Sequence, residues 1–501
     1  MSAKNNLTVI SLLERAKSVF ADQTVVYAGE KIRYEELYKR VGRIAFSLKK
    51  MGVQKGSVVG VADWNTLRFV ELLYACAMLG AVVYPVNIRL PPELVGRTLK
   101  QSGCVRVFTS PELLPLLSKS GLSSGSVVVL DSTYNSMLGG EELGKVDVKG
   151  DDVYSILYTS GTTGAPKGVV YQNWKVVLGG LSIVHQLGLF NARAKLTSED
   201  VVMPLIPFFH LWAWGSAFHT TYLGAKYVLG GRFSAEEAVD VIVREGVTWV
   251  NLVPTMMHEL LNTPRAGELR GLKALIGGSP VPRGLRELME KYGIKYSTIY
   301  GGTDMLAAAI RLEQGDSDTL HPVPFVEFSV VKPDGGRAAS GEVGELHMRA
   351  PWLPDGYHND PERTRNSFTD DGWFRTGDLA KPSMDGGIQV LDRLGDVIKS
   401  GGEWIPPSVL ESIISQVEGV ASVAVIARRD PKWGERPIAV VKSKGGEAVR
   451  RTIVERLNRE VEAGRILKWW VPDDIIFVDD IPLTSVGKID KRALREKYAA
   501  T

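Results

Sequence analysis

The run Tyr154-Ser155-Ile156-Leu157-Tyr158-Thr159-Ser160-Gly161-Thr162-Thr163-Gly164-Ala165-Pro166-Lys167-Gly168 governs the reading of this chain. The apolar segment Tyr154 to Leu157 has the length and texture of a buried strand. It runs into a loop that combines three glycines, four hydroxyl residues and one lysine. Backbone N–H groups exposed by glycine, together with hydroxyl donors, can surround phosphate oxygens, while a lysine adds a compact positive charge. The loop is therefore expected to bind a polyphosphate. It is not a Walker A loop, because the GxxxxGK[ST] spacing is absent.

The flanking sequence carries the same strand-and-helix alternation. N-terminal to the loop, Val9 to Val53 reads as mostly helical. Ser57 to Ala62, Ala81 to Val86, Val105 to Phe108 and Ser126 to Leu130 then read as short apolar strands, with a largely apolar helix over Thr66 to Leu79. C-terminal to it, Trp249 to Val253, Ala274 to Gly278 and Lys295 to Tyr300 are strands, the last two joined by the helix Arg283 to Tyr292. Such alternation predicts an α/β fold with parallel sheet, in which ligands collect at the carboxyl ends of the strands. Gly277-Gly278-Ser279 and Tyr300-Gly301-Gly302-Thr303 both fall at such ends.

From about Phe325 the pattern becomes alternating β with glycine turns: Phe328 to Val331, Gly344 to Met348 and Gly387 to Leu391. A polar stretch at Leu391 to Asp396 marks a domain boundary. The unit of about 100 residues beyond it holds the helices Ser408 to Gln416 and Arg450 to Glu462 and the strand Ser422 to Ile426, an α+β pattern. The division is thus 1–392, a hinge at 393–396, and 397–501. Within the β region, Gly372-Trp373-Phe374-Arg375-Thr376-Gly377-Asp378 sets an aspartate where a carboxylate could accept both hydroxyls of a ribose diol; taken alone, such a turn aspartate is more often a local cap or a solvated charge.

Composition bounds these readings. A chain of 501 residues with 44% apolar and 23% charged content can bury a large core, which excludes a small disulfide-stapled fold. Sixty Lys+Arg against 57 Asp+Glu leave a formal charge of +3 with no dense basic block, so nucleic acid is not an implied partner. The two cysteines, Cys76 and Cys104, are expected as buried thiols of a reducing compartment. No stretch reaches 18 residues free of charges or breakers, and no secretory leader is legible, so a cytoplasmic protein without an integral membrane segment is expected.

With these residues in view, the loop at 158–168, Tyr300-Gly301-Gly302-Thr303-Asp304, Gly372 to Leu379, Asp392-Arg393-Leu394 and Gly487-Lys488 resemble, in order and over roughly residues 8–497, the signature motifs of the adenylate-forming superfamily of acyl-CoA synthetases, adenylation domains and beetle luciferases. Pro207 to Trp214, Val397 to Ile405 and Asp430 to Pro437 are most similar to medium- and long-chain fatty-acyl-CoA synthetases. The resemblance implies a large multi-sheet N-terminal domain, a small mobile C-terminal α+β lid, and two half-reactions. A carboxylate attacks the α-phosphorus of ATP to give acyl-adenylate and pyrophosphate, and the CoA thiol then displaces AMP. ATP, Mg²⁺, CoA and a fatty acid are the implied ligands, and the family admits a homodimer and transient contact with a membrane surface.

The resemblance also implies residue roles. Thr159, Ser160, Gly161, Thr162, Thr163, Gly164 and Lys167 would hold the phosphates, and Thr303 the α-phosphate. Tyr300 and Gly301 would border adenine, Asp378 the ribose, and Arg393 ribose or phosphate. Gly277, Gly278, Ser279 and Gly302 would line the adenine and acid cleft, with His210 near the acid carboxylate and Trp214 at the mouth of the acyl tunnel. Lys488, by itself a solvated lysine near a terminus, would reach the carboxylate and α-phosphate during adenylation. Asp304 and Thr159 would face Mg²⁺. Lys399, Gly401, Gly402, Glu403 and Trp404 would meet CoA after the lid turns.

Two positions depart from the family pattern. Asp304 stands where relatives carry glutamate; it keeps hard oxygen ligands but is one methylene shorter. Gly395 stands where relatives have a lysine or aspartate hinge, and glycine leaves rotation feasible while removing a side-chain bias. The aromatic run 207–214 reads as core packing or as ligand wall from composition alone. Competing functions are a CoA ligase for a short, branched, hydroxylated or aryl acid, and a nucleotide- or acyl-binding protein without turnover.

Overall fold

The computed structural model describes residues 6–121, 124–159, 166–190, 192–311, 318–401, 403–484 and 489–499. Its large N-terminal domain is built on three sheets and its smaller C-terminal domain on a fourth. A six-stranded sheet orders Val127–Val129, Cys104–Thr109, Val58–Ala62, Val82–Pro85, Val153–Tyr158 and Gly168–Gln172, parallel except for the last pair. A nine-stranded sheet has a parallel centre that includes Lys295–Gly302, Lys273–Gly277, Trp249–Leu252, Val201–Pro204 and Lys226–Leu229. The third sheet, Glu327–Val331, Gly344–Arg349, Phe374–Pro382 and Ile388–Arg393, is antiparallel.

The helix Leu67–Leu79 shows how the sequence builds the interior. Thr66 accepts the Phe69 amide through Oγ1 at 3.2 Å, and Gly80, at φ 75°, ends the helix in the left-handed region. Every residue from Leu67 to Leu79 except Arg68 is buried, as expected for a helix covered on all sides. Its one carboxylate, Glu71, has a fully buried side chain 2.6 Å from Arg40 Nε, and accepts the Tyr134 hydroxyl at 2.6 Å.

The expected helical stretch from Val9 to Val53 is instead two helices, Val9–Val19 and Tyr34–Lys50, separated by the hairpin Thr24–Tyr27 and Glu30–Arg33. The turn residues Ala28 and Gly29 both have positive φ, 49° and 84°, as a tight right-twisted hairpin requires. Thr24–Tyr27 also pairs in parallel with Lys226–Leu229. The other strands and helices read from the sequence are present within a few residues of their expected limits. Cys76 is buried as expected, whereas Cys104 is only partly so, its Sγ accepting the Gly60 amide at 3.1 Å; both are free thiols.

The strand Ile388–Arg393 runs into the segment expected as a loose linker, and the next strand, Ile398–Ser400, already belongs to the C-terminal sheet. Ordered contacts fasten this junction. Ser408 donates its amide to Asp392 Oδ2 at 2.8 Å and its hydroxyl to Leu391 O at 2.6 Å, and Arg495 lies 2.7 Å from Asp396. Lys491 Nζ sits 2.8 Å from Glu411 and 3.9 Å from Asp392. Among the described residues, no helix is long and apolar enough to cross a membrane.

Candidate active site

The strand Val153–Tyr158 and its antiparallel neighbour Gly168–Gln172 bring the two ends of the glycine-rich loop together. Thr159 donates its amide to Lys167 O at 2.9 Å, and the Lys167 amide returns a bond to Thr159 Oγ1 at 3.2 Å. The neck is thus a closed backbone clasp; Ser160, Gly161, Thr162, Thr163 and Gly164 lie outside the described residues. Lys167 Nζ stands 5.6 Å from the centre of the Tyr357 ring, within cation–π reach. Burial, reinforced by the Arg363 charge, holds this ammonium below the usual lysine range.

Tyr357 also donates to Asp304 Oδ2 at 2.8 Å, linking the ring beside Lys167 to the turn that follows the strand Lys295–Gly302. There, Lys273–Gly277 and Lys295–Gly302 lie side by side in parallel register. Gly301 is demanded by contact: a Cβ there would lie 1.9 Å from Leu306 O, so only glycine lets the following strand Leu306–Ile310 pass. Tyr171 anchors the same bend by donating its hydroxyl to Thr303 O at 2.8 Å. Gly278 and Ser279 are exposed beyond the end of the neighbouring strand.

Asp378 and Arg393, both expected near the ribose, are cross-strand partners in the antiparallel sheet. Arg393 Nε lies 2.8 Å from Asp378 Oδ1, and Tyr300 donates its hydroxyl to Asp378 Oδ2 at 2.5 Å. Asp378 is 3% exposed, whereas the Arg393 side chain is 56% exposed, so the bonds are charge-assisted on a buried carboxylate with one partner open to water. The Asp378 carboxylate raises Arg393 further above its ordinary value, while burial and then Asp378 push the Tyr300 hydroxyl well up. Tyr300 is therefore a hydrogen donor to the Asp378 carboxyl group.

The aromatic run resolves into core and wall together. Leu211, Trp212, Ala213 and Trp214 hold φ values of 48–52°, a one-turn left-handed helix made without glycine, and Gly215 ends it at φ 74°. Left-handed residues with a side chain cost about 1–2 kcal/mol each, so surrounding contacts must offset several kcal/mol. Trp212 is buried among Tyr154, Tyr171 and Phe218 at ring separations of 5.5–6.0 Å. Trp214 points the other way, towards Gly277, where an added Cβ would lie 2.9 Å from the indole and 2.7 Å from Ile299 Cγ2. His210, half-buried, opens the turn with its ring 4.5 Å from that of Phe209. Behind the turn, burial pushes His219 down to about 4, which keeps its ring neutral.

Two buried asparagines hold this turn, and the sequence reading missed both. Asn65 donates to Pro204 O at 3.0 Å and Ile206 O at 2.8 Å, and accepts the Phe208 amide at 2.8 Å. Asn251 donates to Ala213 O at 2.7 Å. Tyr171 and Tyr357 were missed too. The one available signal was an amide-bearing residue inside the otherwise apolar run Trp249 to Val253.

The residues expected to meet CoA are placed elsewhere. Lys399 and Trp404 are partners in a hairpin and line an open cleft of about 580 Å³ together with Lys332, Arg337, Trp373 and Arg375 of the antiparallel sheet. Gly401, at φ 59°, donates its amide to Trp433 O at 2.8 Å and lies against the Trp433 ring. Gly402, the side chain of Glu403 and Lys488 lie outside the described residues.

A glycine- and hydroxyl-rich loop sequence, glycine turns at the carboxyl ends of parallel strands, an Asp–Arg–Tyr network around a buried aspartate and a smaller C-terminal domain define an adenylate-forming enzyme. The AMP-binding enzyme family matches residues 13–358, and its C-terminal domain matches 409–488. The long-chain-fatty-acid–CoA ligase of Thermus thermophilus is 35% identical over 98% of this chain and 96% of its own. The 3-methylmercaptopropionyl-CoA ligase of Ruegeria lacuscaerulensis is 32% identical over 96% and 94%. The crystal structure of ATP-bound MatB from Rhodopseudomonas palustris superposes with a TM-score of 0.86 at 27% identity, over 98% of this chain and 99% of that one. The chain belongs to the AMP-binding enzyme family. It is an AMP-forming acid–thiol ligase that makes an acyl-CoA through an acyl-adenylate, and ATP and CoA are substrates of this family.

Proposed function

We propose that the acid is a fatty acid of medium to long chain, activated as acyl-adenylate with release of pyrophosphate and then passed to CoA with release of AMP. The observation that carries the reading is the turn Pro207 to Gly215, apolar and aromatic except for His210 and seated against the strand end at Gly277. A chain of methylenes gains about 0.8 kcal/mol for each CH₂ it buries, and such a wall supplies the apolar surface. The end-to-end likeness to a ligase named for long-chain fatty acids supports the same choice.

In this reading the closed neck at Thr159 and Lys167 presents the glycine-rich loop, including Ser160 to Gly164, to the phosphates. Asp378 receives the ribose hydroxyls while Arg393 and Tyr300 keep it aimed. Thr303 stands at the α-phosphate, where Tyr171 fixes its backbone. Gly277, Gly278, Ser279, Gly301 and Gly302 let adenine and acid approach the backbone. A carboxylate is ionised near pH 7, so adenylation requires no general base, and His210 serves to orient the acid. Lys488 brings positive charge to the reacting carboxylate and α-phosphate.

The oxygen donors present suit Mg²⁺. Asp304 accepts Tyr357 through Oδ2, its Oδ1 faces the backbone at Gly302, and Thr159 adds a hydroxyl, a hard-ligand set of the kind that holds Mg²⁺ together with substrate phosphates. Mg²⁺ bound there would neutralise phosphate charge. Residues 393–396 act as the hinge between residues 1–392 and a lid of residues 397–501, which turns to present Lys399, Gly401, Gly402, Glu403 and Trp404 to CoA.

A second reading, a short acid, rests on Trp214, whose indole leaves no room beside Gly277 even for a methyl group. The test is incubation with Mg-ATP, CoA and an equimolar panel of C2 to C18, aryl and hydroxy acids, with acyl-CoA and AMP quantified by mass spectrometry. A maximum at C8 or longer, with AMP equal to thioester, supports the fatty-acid reading; a maximum below C6 or on aryl acids overturns it.

A further inference from the structure

Asn251 sits in the centre of the nine-stranded sheet, on the strand Trp249–Leu252 between Val201–Pro204 and Lys273–Gly277. The strand is buried throughout, and its other residues are Trp249, Val250 and Leu252. An amide in such a place loses its water and must recover the loss in hydrogen bonds. Asn251, 1% exposed, recovers only half: Nδ2 donates to Ala213 O at 2.7 Å, and Oδ1 has no hydrogen-bond partner among the described residues. A β-branched aliphatic residue would serve the strand better, so the sheet itself does not account for the amide.

The other end of the bond does. Ala213 is the third of four left-handed residues, at φ 51° and ψ 52°, a conformation an alanine leaves when nothing holds it. The turn's own backbone bonds run from the Trp214 amide to His210 O at 3.2 Å and from the Gly215 amide to Leu211 O at 2.8 Å, the latter amide also facing Ala213 O, and Asn251 adds the side-chain bond to that carbonyl. Trp212 on one side is already fixed in its aromatic box. Trp214 on the other side is the residue whose position remains to be set, and its indole closes the space at Gly277.

We propose that Asn251 is a positioning residue that selects acid length, latching the Ala213 carbonyl so that the strained turn holds Trp214 across the strand end at Gly277. This rests on the reading that the turn borders the acid. With the latch removed, the turn relaxes towards right-handed or extended backbone, Trp214 withdraws from Gly277, and the cleft admits longer chains.

The decisive variant is Asn251→Leu, which keeps the branched outline, though bulkier, and removes the donor; Asn251→Thr, a strand former whose hydroxyl is too short to reach Ala213 O, stands in should the leucine variant not fold. Specificity constants over C4 to C16 acids, the KM for ATP and the melting temperature are measured for each. The latch predicts that the C12-to-C6 ratio of kcat/KM rises about tenfold, in the range that a few pocket methylenes command, while the ATP KM changes less than about twofold. Adding Ala213→Gly should move the ratio back towards the parent, because glycine holds positive φ without a latch. A purely structural asparagine would instead lower activity with every acid alike and gain nothing specific from that glycine, which overturns the proposal. Trp214→Ala separates the two levels of inference. If it shifts the chain-length profile while both Asn251 variants keep the parental one, the latch is refuted and the acid site stands; if none of the three shifts it, the acid site at this turn falls with the latch.

Discussion

Removing the Lys491 ammonium should destabilise the C-terminal domain by about 3 kcal/mol. Lys491 opens the helix Lys491–Tyr498 and places Nζ 2.8 Å from Glu411 and 3.9 Å from Asp392. At an effective dielectric of about 20, those separations correspond to attractions of roughly 6 and 4 kcal/mol, against which stand the desolvation of three charges and the repulsion between the two carboxylates. Burial pulls the ammonium down, but Glu411 and Asp392 outweigh it and hold Lys491 above the ordinary lysine range. Its share of the stability is therefore fully present at neutral pH and is lost only as pH rises through that elevated value. Breaking a buried pair costs about 3–5 kcal/mol, and the lower end applies because the Lys491 and Glu411 side chains keep 14% and 20% of their exposure. Glu411 would retain the Val425 amide at 2.7 Å, and Asp392 the Ser408 amide. Lys491→Met, followed by urea unfolding with tryptophan fluorescence, measures the loss. Lys491→Met with Glu411→Met should recover at least half of it, since two apolar side chains strand one fewer charge. A single variant within about 1 kcal/mol of the parent, or a double variant weaker than the single, refutes the argument.

Three further outcomes follow from other parts of the chain. Burial pushes Glu71 up from 4.5 to about 7, with Arg40 and Tyr134 pulling it back, so the folded chain holds a proton that the unfolded chain releases, and stability should fall by about 3 kcal/mol between pH 4.5 and 7 and then level off. Glu71→Gln should flatten that part of the profile, and an unchanged slope in unfolding midpoints at pH 5, 6, 7 and 8 assigns it to other groups. A Cβ at Gly395 would meet nothing within 4 Å, so Gly395→Ala should melt with the parent, whereas Gly395→Pro should damage thioester formation about tenfold more than pyrophosphate release if rotation occurs there. Equal losses in the two half-reactions argue against that hinge. Lys488→Ala should lose acid-dependent adenylate formation by at least a hundredfold while keeping most thioester formation from supplied acyl-adenylate, the pattern of a group that acts only in the first transition state.

What the sequence could and could not tell follows from the range of the forces involved. The strands around the glycine-rich loop were legible because a buried parallel strand is a run of apolar residues, readable without knowing its partner. The hairpin Thr24–Arg33 was not, because its turn is Ala28-Gly29 rather than an Asn-Gly or Asp-Gly pair, and because the strand's further partner, Lys226–Leu229, lies some two hundred residues away. Tyr171, Tyr357, Asn65 and Asn251 escaped for a related reason: each acts through long-range hydrogen bonds, and a lone tyrosine or asparagine carries no periodicity.

By itself, then, the order of residues determined the α/β architecture and the two-domain plan, since apolar runs and glycine spacing are local properties of the chain, and the resemblance of its ordered motifs to a known family supplied the adenylate-forming class. Tertiary structure alone decided that Asp378 is gripped by Arg393 and Tyr300, that Leu211 to Trp214 coil to the left, and that Trp214 rather than Trp212 faces Gly277. Those features depend on which distant groups meet in a space without water, where a single bond to Ala213 O can hold a conformation that the local sequence would abandon.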